Sequence, residues 1–301
     1  MWQELSRSLQ AGEIKALARS ISLVENEQEG YLQFLQQLPA RNSKIIGITG
    51  PPGAGKSTLV DALIEELVEA NQKVAVLCID PSSPFNLGAL LGDRVRMSQW
   101  YTHPRVFIRS LANHGSMGGL NPMIIEITSL LQAAAFDHII IETVGIGQSE
   151  VEIAGLADIT VVVLVPEGGD EIQTMKAGLM EIADIFVVNK SDRPDADHFE
   201  KNLRQLLAPA YSRTQDIPII KTVASEKKGI NKLLDAIFRH RSEQTSKKKI
   251  FLLAHKTWQI LQRLRMKDFD LKKIEQKLET ESVKKDFNLF RFIEEINTAH
   301  E

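Results

Sequence analysis

The stretch Gly50-Pro51-Pro52-Gly53-Ala54-Gly55-Lys56-Ser57 decides the fold. It is a full G-x-x-x-x-G-K-S string, and its surroundings matter as much as its letters. Ahead of it runs the apolar segment Ile45-Ile46-Gly47-Ile48-Thr49, and behind it Leu59, Leu63, Ile64 and Leu67 recur at helical spacing. A strand, a glycine-rich turn and a helix in that order form a phosphate-binding loop, because backbone N–H groups of the turn and of the helix start converge on an anion. Gly50, Gly53 and Gly55 let the backbone turn and approach a phosphate without a Cβ in the way. Lys56 is expected to reach the outer phosphates, the Ser57 hydroxyl to ligate Mg²⁺, and Thr58 to face the inner phosphate.

Outward from this loop, residues 44–240 alternate apolar runs with amphipathic helical periods. The runs fall at 44–49, 74–80, 106–110, 138–143, 159–165, 185–189 and 217–224. They are rich in Ile and Val and continuous, the pattern of strands covered on both faces. The expectation is an α/β P-loop NTPase domain over 44–240, a mainly parallel sheet flanked by helices. Asn121-Pro122 reads as a cap and first-turn pair opening one of these helices. Residues 1–43 are expected to be a helical arm and residues 241–301 a helical extension, with the polar stretch 242–249 as a connector.

Composition narrows the function. Of 301 residues, 36 are Lys or Arg and 39 are Asp or Glu, a formal charge of −3, so no global basic field is available for nucleic acid. The only cysteine, Cys78, excludes an internal disulfide and a cysteine-rich zinc site, and a reduced, cytoplasmic setting is expected. The amino terminus lacks the basic start and apolar run of a signal peptide, and the longest apolar runs are too short to span a bilayer, so no membrane partner is expected.

Asn189-Lys190-Ser191-Asp192 follows the run 185–188 and matches the N-K-x-D pattern of guanine-specific proteins. A carboxylate at Asp192 accepts from N1–H and the exocyclic amine of guanine, and adenine offers neither donor there. Lys190 is expected to lay its stem along the base. Thr222-Val223-Ala224-Ser225 closes a later run; its backbone N–H groups can meet the guanine oxygen, or it is an ordinary strand exit. Asp80 and Glu142 end strands and are expected to point into the ligand crevice, to hold Mg²⁺ or orient water, or else to cap a helix or anchor a loop. Asp93, in Gly92-Asp93-Arg94, is either a metal residue or a surface charge.

The set GPPGAGKST, IDPSSP, GDRVRM, ETVGIGQSE and NKSD resembles the MeaB/ArgK/MMAA family of P-loop GTPases over nearly the whole chain. The resemblance implies GTP/GDP and Mg²⁺ as ligands and a chaperone that gates cobalamin loading and protects methylmalonyl-CoA mutase or a related acyl-CoA mutase. It also implies a homodimer through the terminal helices. By motif it implies that Lys56, Asp80, Asp93 and Glu142 act in hydrolysis. Ser57 and the same three carboxylates would hold the metal. The loop residues with Thr58, Gly145, Asn189, Lys190, Asp192, Val223, Ala224 and Ser225 would bind the nucleotide. Asp170, Gln173 and Lys176 match the polar positions of a loop that relays nucleotide state to the mutase; from the residues alone the segment equally reads as a polar helix start with Lys176 solvated. Two departures stand out. Asn86-Leu87-Gly88-Ala89 replaces the family's usual threonine and glycine pair in the first switch, which bears on hydrolysis rate. Val223 stands where a serine is common. With no arginine finger or glutamine directly after Gly145, hydrolysis is expected to be slow without a partner. Two other classes compete with this reading: a kinase or ATPase of basic amino-acid transport, which the N-K-S-D string opposes, and a metal-insertion GTPase. For the latter, His103, His114 and His138 are scattered, and Cys78 sits inside an apolar run.

Overall fold

Continuous Ile- and Val-rich runs need cover on both faces, and seven of them meet that need in one sheet. In the computed structural model these are β1 (Lys44–Thr49), β2 (Val74–Asp80), β3 (Val106–Ala112), β4 (His138–Glu142), β5 (Ile159–Leu164), β6 (Ile185–Val188) and β7 (Ile219–Lys221). Their order is β3-β2-β4-β1-β5-β6-β7, and all neighbouring pairs are parallel. This is the P-loop α/β architecture that the glycine-rich string predicts. The structure describes residues 1–39, 41–80, 97–112, 120–143, 149–167, 182–207, 217–240, 245–266, 269, 271–283 and 287–298.

Side chains alternate across each strand, so the two faces of β1 and β4 carry different cores. On one face Ile46, Ile48 and Ile140 pack with Leu59, Leu63 and Leu67 of α4 (Lys56–Glu69) and with Leu233 and Ile237 of the helix Ile230–Arg239. On the other, Ile139 and Ile141 pack with helices from several parts of the chain. Leu9 of α1 (Trp2–Gln10), Leu17 and Ile21 of α2 (Ile14–Glu25) and Phe34 of α3 (Tyr31–Gln36) join this core. So do Ile127 and Leu130 of α5 (Ile124–Ala133) and Ile153 of α6 (Ser149–Leu156). The three amino-terminal helices thus share a core with the sheet. Past β5, α7 (Ala196–Leu207) covers Val162, Leu164, Phe186 and Val188 with Phe199, Leu203 and Leu207. The Ile230–Arg239 helix is α8. Asn121 and Pro122 do not cap α5 or enter its first turn: the helix is capped at Met123 and starts at Ile124, and the Asn121 side-chain oxygen holds the turn ahead of it by accepting the Met123 N–H at 2.8 Å.

Three aspartates fix the amino-terminal edge of the sheet. Asp137, Asp158 and Asp184 immediately precede β4, β5 and β6. Their carboxylates accept the backbone N–H of Lys73 at 2.7 Å, Ile45 at 2.9 Å and Thr160 at 2.8 Å. Each ties the start of one strand to its neighbour, which leaves the carboxyl-terminal edge, where open parallel sheets bind ligands, for the loops.

The chain divides into two units, Met1–Gln244 and Thr245–Glu301. The second holds α9 (Thr245–Arg265), α10 (Leu271–Glu281) and α11 (Leu289–Thr298). Within it Phe292 is buried with its ring centroid 6.1 Å from that of Phe287, while Ile250, Trp258 and Phe290 are exposed. None of the described helices is long and apolar enough to cross a membrane.

Candidate active site

β1 delivers the chain to Gly50 at the carboxyl-terminal edge. Gly50 has φ +140°, and a Cβ there would lie 2.1 Å from the Val163 carbonyl oxygen of β5. Gly55 has φ +87°, and its Cβ would lie 2.4 Å from the Asn189 side-chain nitrogen. Only glycine allows the loop to lie this close to β5 and to Asn189. α4 starts directly after, so the N–H groups of Lys56, Ser57 and Thr58 fall in its first turn, where no intrahelical acceptor exists and the helix dipole is positive.

Two side chains at this helix start reach back to the loop and across to β4. The Lys56 ammonium donates to the carbonyl oxygens of Gly50 at 2.9 Å and Pro51 at 3.1 Å. The Ser57 hydroxyl donates to Glu142 Oε1 at 2.7 Å, and both residues are buried. A hydroxyl and a carboxylate are hard oxygen donors, the set Mg²⁺ prefers, so these residues fit that ion.

The second wall is built around one amide. Asn189 is buried at the end of β6. Its Nδ2 donates to the Ala54 carbonyl at 2.9 Å, and its Oδ1 accepts from the Ala224 N–H at 3.1 Å and the Thr222 hydroxyl at 3.0 Å. One side chain therefore joins the glycine-rich loop to the 222–225 segment. Lys190 follows with φ 54° and donates from Nζ to the Gly53 carbonyl at 2.8 Å. The Ser191 N–H donates to the Thr222 carbonyl at 3.0 Å. Asp192 is exposed two residues beyond Lys190. Val223 and Lys228 form an antiparallel bridge that closes the turn carrying Ala224 and Ser225, and Lys227 of that turn pairs with Glu65 of α4.

The structure thus brings together Gly50 to Thr58, Glu142, Asn189, Lys190, Asp192 and Val223 to Ser225. Asp80 closes β2, but its side chain lies outside the described residues. Asp93, Gly145, Asp170, Gln173, Lys176 and the 86–89 departure also lie outside them.

Comparison with known proteins gives the family. Residues 17–274 match the family described as Methylmalonyl Co-A mutase-associated GTPase MeaB. The chain belongs to the MeaB family. A relative from Pyrococcus abyssi, named as a GTPase, is 49% identical over 247 residues, covering 80% of this chain and 76% of its own. GTPase ArgK of Escherichia coli is 36% identical over 255 residues, covering 81% of this chain and 77% of its own. A crystal structure titled LAO/AO transport system kinase superposes with a TM-score of 0.65 at 28% identity, covering 95% of this chain and 87% of that one. The MeaB-family chain is therefore a P-loop GTPase that takes guanine nucleotide.

Two features of this MeaB-family chain, one of them in the site, were not anticipated. The sequence reading placed Asn189 in the guanine motif but did not see that its amide is the tie between the loop and residues 222–224. The signal was a lone amide ending the apolar run Ile185-Phe186-Val187-Val188. Nor did it single out Asp61, one turn past Ser57 on α4, whose carboxylate accepts the Trp100 indole N–H at 2.7 Å and the Gln99 amide at 3.2 Å. An acidic residue inside an otherwise apolar helix stretch was its only trace. At the opposite edge, burial lowers the pKa values of Lys44 and His138. That cost to the charged forms lies away from the loop.

Proposed function

We propose that this chain is a GTP-hydrolysing chaperone of a cobalamin-dependent acyl-CoA mutase, with methylmalonyl-CoA mutase as the first candidate client. The observation that carries the nucleotide half is the Asn189 amide, which supports a fixed spacing between the phosphate loop and the base-contact segment. With that spacing set, Asp192 reads the guanine edge, Lys190 covers the base, and the turn of Val223, Ala224 and Ser225 faces its oxygen with the Ser225 N–H as donor, because the Val223 and Ala224 N–H groups are taken by the Lys228 carbonyl and the Asn189 amide. The family description, mutase-associated, supports the client half.

The proposed chemistry is positioning and charge neutralisation. Lys56 exchanges the loop carbonyls for the outer phosphates, while first-turn N–H groups hold the phosphate oxygens. Ser57 and Glu142 would hold Mg²⁺, with Asp80 and Asp93 as further oxygen donors; when bound, the ion supplies positive charge at the transferring phosphoryl group. Glu142, as a buried carboxylate beside Ser57, also orients the attacking water. Gly145 supplies a backbone N–H. Asp170, Gln173 and Lys176 carry the nucleotide state to the client. The same reading makes the protein a cytoplasmic homodimer; exposed Ile250, Trp258 and Phe290 support an interface on the carboxyl-terminal helices.

One experiment addresses both halves. The purified chain is titrated with GTP, GDP and ATP, then used to capture partners from its own cell extract with and without a non-hydrolysable GTP analogue. Tight GTP and GDP binding with far weaker ATP binding is expected, together with recovery of a cobalamin-dependent mutase. Equal affinity for ATP would return the transport-kinase reading. Tight GTP binding without any such mutase would leave a GTPase with a different client.

A further inference from the structure

The hydroxyls of Thr49 and Thr143 meet beneath the active site. Thr143 Oγ1 donates to Thr49 Oγ1 at 2.9 Å, and both residues are buried, at 0% and 2% exposure. Thr49 is the last residue of β1, directly before Gly50, and Thr143 directly follows Glu142 at the end of β4. The ladder already pairs Ile48 with Glu142, and the Thr143 N–H extends it by donating to the Ile48 carbonyl at 3.0 Å.

Strand alternation sets the geometry. Ile48 lies in the α4-side core and Ile141 in the opposite one. Glu142 therefore projects toward α4, as its bond from Ser57 requires, and Thr49 and Thr143 project to the other face. The end of β4 is thus tied on both faces, to the start of α4 by Glu142 and Ser57 and to the end of β1 by the threonine pair. A buried apolar pair would fill the same volume without directional bonding. Two hydroxyls instead fix the separation of the strand ends and oppose rotation of β4 at its last residues.

We propose that Thr143, acting through Thr49, is a positioning residue for hydrolysis. It holds the end of β4 so that the Glu142 carboxylate keeps its place relative to the phosphate loop. The inference rests on the reading of Glu142 as a hydrolysis residue.

The test compares Thr143→Val, Thr143→Ser, the double variant Thr49→Val/Thr143→Val and Glu142→Gln by steady-state GTP hydrolysis, nucleotide titration and thermal unfolding. Thr143→Val is expected to lower kcat by about three- to tenfold, the rate equivalent of one neutral hydrogen bond, with KM for GTP nearly unchanged. Thr143→Ser restores kcat because the donor returns. The double variant recovers thermal stability, since two apolar side chains replace a satisfied pair, but its kcat stays low. If the double variant recovers both stability and kcat, the pair is only packing and the inference falls. If Glu142→Gln hydrolyses GTP as the wild type does, the reading of Glu142 falls and takes the inference with it. That outcome is distinct because it leaves both threonines in place.

Discussion

Ser57 and Glu142 lie 85 positions apart and are joined by a 2.7 Å hydrogen bond from the hydroxyl to the carboxylate. One opens the helix behind the phosphate loop and the other ends the strand beside β1, so the bond ties the start of α4 to the end of β4. Their contact places two of the oxygen donors of the proposed metal site next to each other before any ligand arrives, which reduces the reorganisation that binding requires.

Lys56→Ala is expected to lower kcat/KM for GTP by about a hundredfold or more, the effect of removing one preorganised charge from a phosphoryl-transfer site. In the structure the ammonium is stored on the carbonyls of Gly50 and Pro51, within the loop it serves. Phosphate release from purified protein gives the answer. Wild-type turnover in the variant would contradict the assigned role.

Asn189→Ala removes one side chain and leaves three partners behind: the Ala54 carbonyl, the Ala224 N–H and the Thr222 hydroxyl. Unsatisfied buried polar groups cost about 1–3 kcal/mol each, less where water enters, so a clear drop in unfolding temperature is expected. GTP and GDP affinities should fall by similar factors, because the amide ties the base segment to the loop and not to the terminal phosphate. A loss confined to GTP, measured by titration with both nucleotides, would place Asn189 in the wrong role.

Asp192→Ala is expected to erase most of the preference for GTP over ATP while leaving the fold intact. Asp192 is exposed, so its removal opens no buried cavity. Competition binding with both nucleotides measures the ratio directly. An unchanged ratio would mean that backbone groups of residues 223–225 read the base alone.

The parts of this molecule that follow local rules were legible before the structure. A glycine-rich turn between a strand and a helix has few other solutions, so the loop and the parallel sheet around it could be read from Gly50 to Leu67. Relations set by tertiary register were not. Nothing local says that Asn189 faces Ala54, or that Thr49 meets Thr143, because each pair depends on which strands are neighbours and on their parity. The amino-terminal helices show the same limit. Their apolar faces were evident, but an interface and a core draw on the same residues, and only the packing of Leu9, Leu17 and Ile21 with Ile139 and Ile141 settles where those faces go.

His138 offers a test of the opposite edge of the sheet. It starts β4, is buried, and its ring centroid lies 5.3 Å from that of Phe238. Its pKa is held below the ordinary 6.5, first by burial, with Lys44 adding to the effect and Asp137 opposing it. The folded chain therefore binds this proton less readily than the unfolded chain does. Stability from the neutral imidazole is present above pH 6.5 and is lost as pH falls below it, down to the lowered folded value. Wild-type protein should lose unfolding temperature between neutral and mildly acidic pH, and His138→Leu should lose less over the same window, whatever its stability at neutral pH. Parallel pH slopes for the two proteins would show that the imidazole is not the group whose charging opposes the fold.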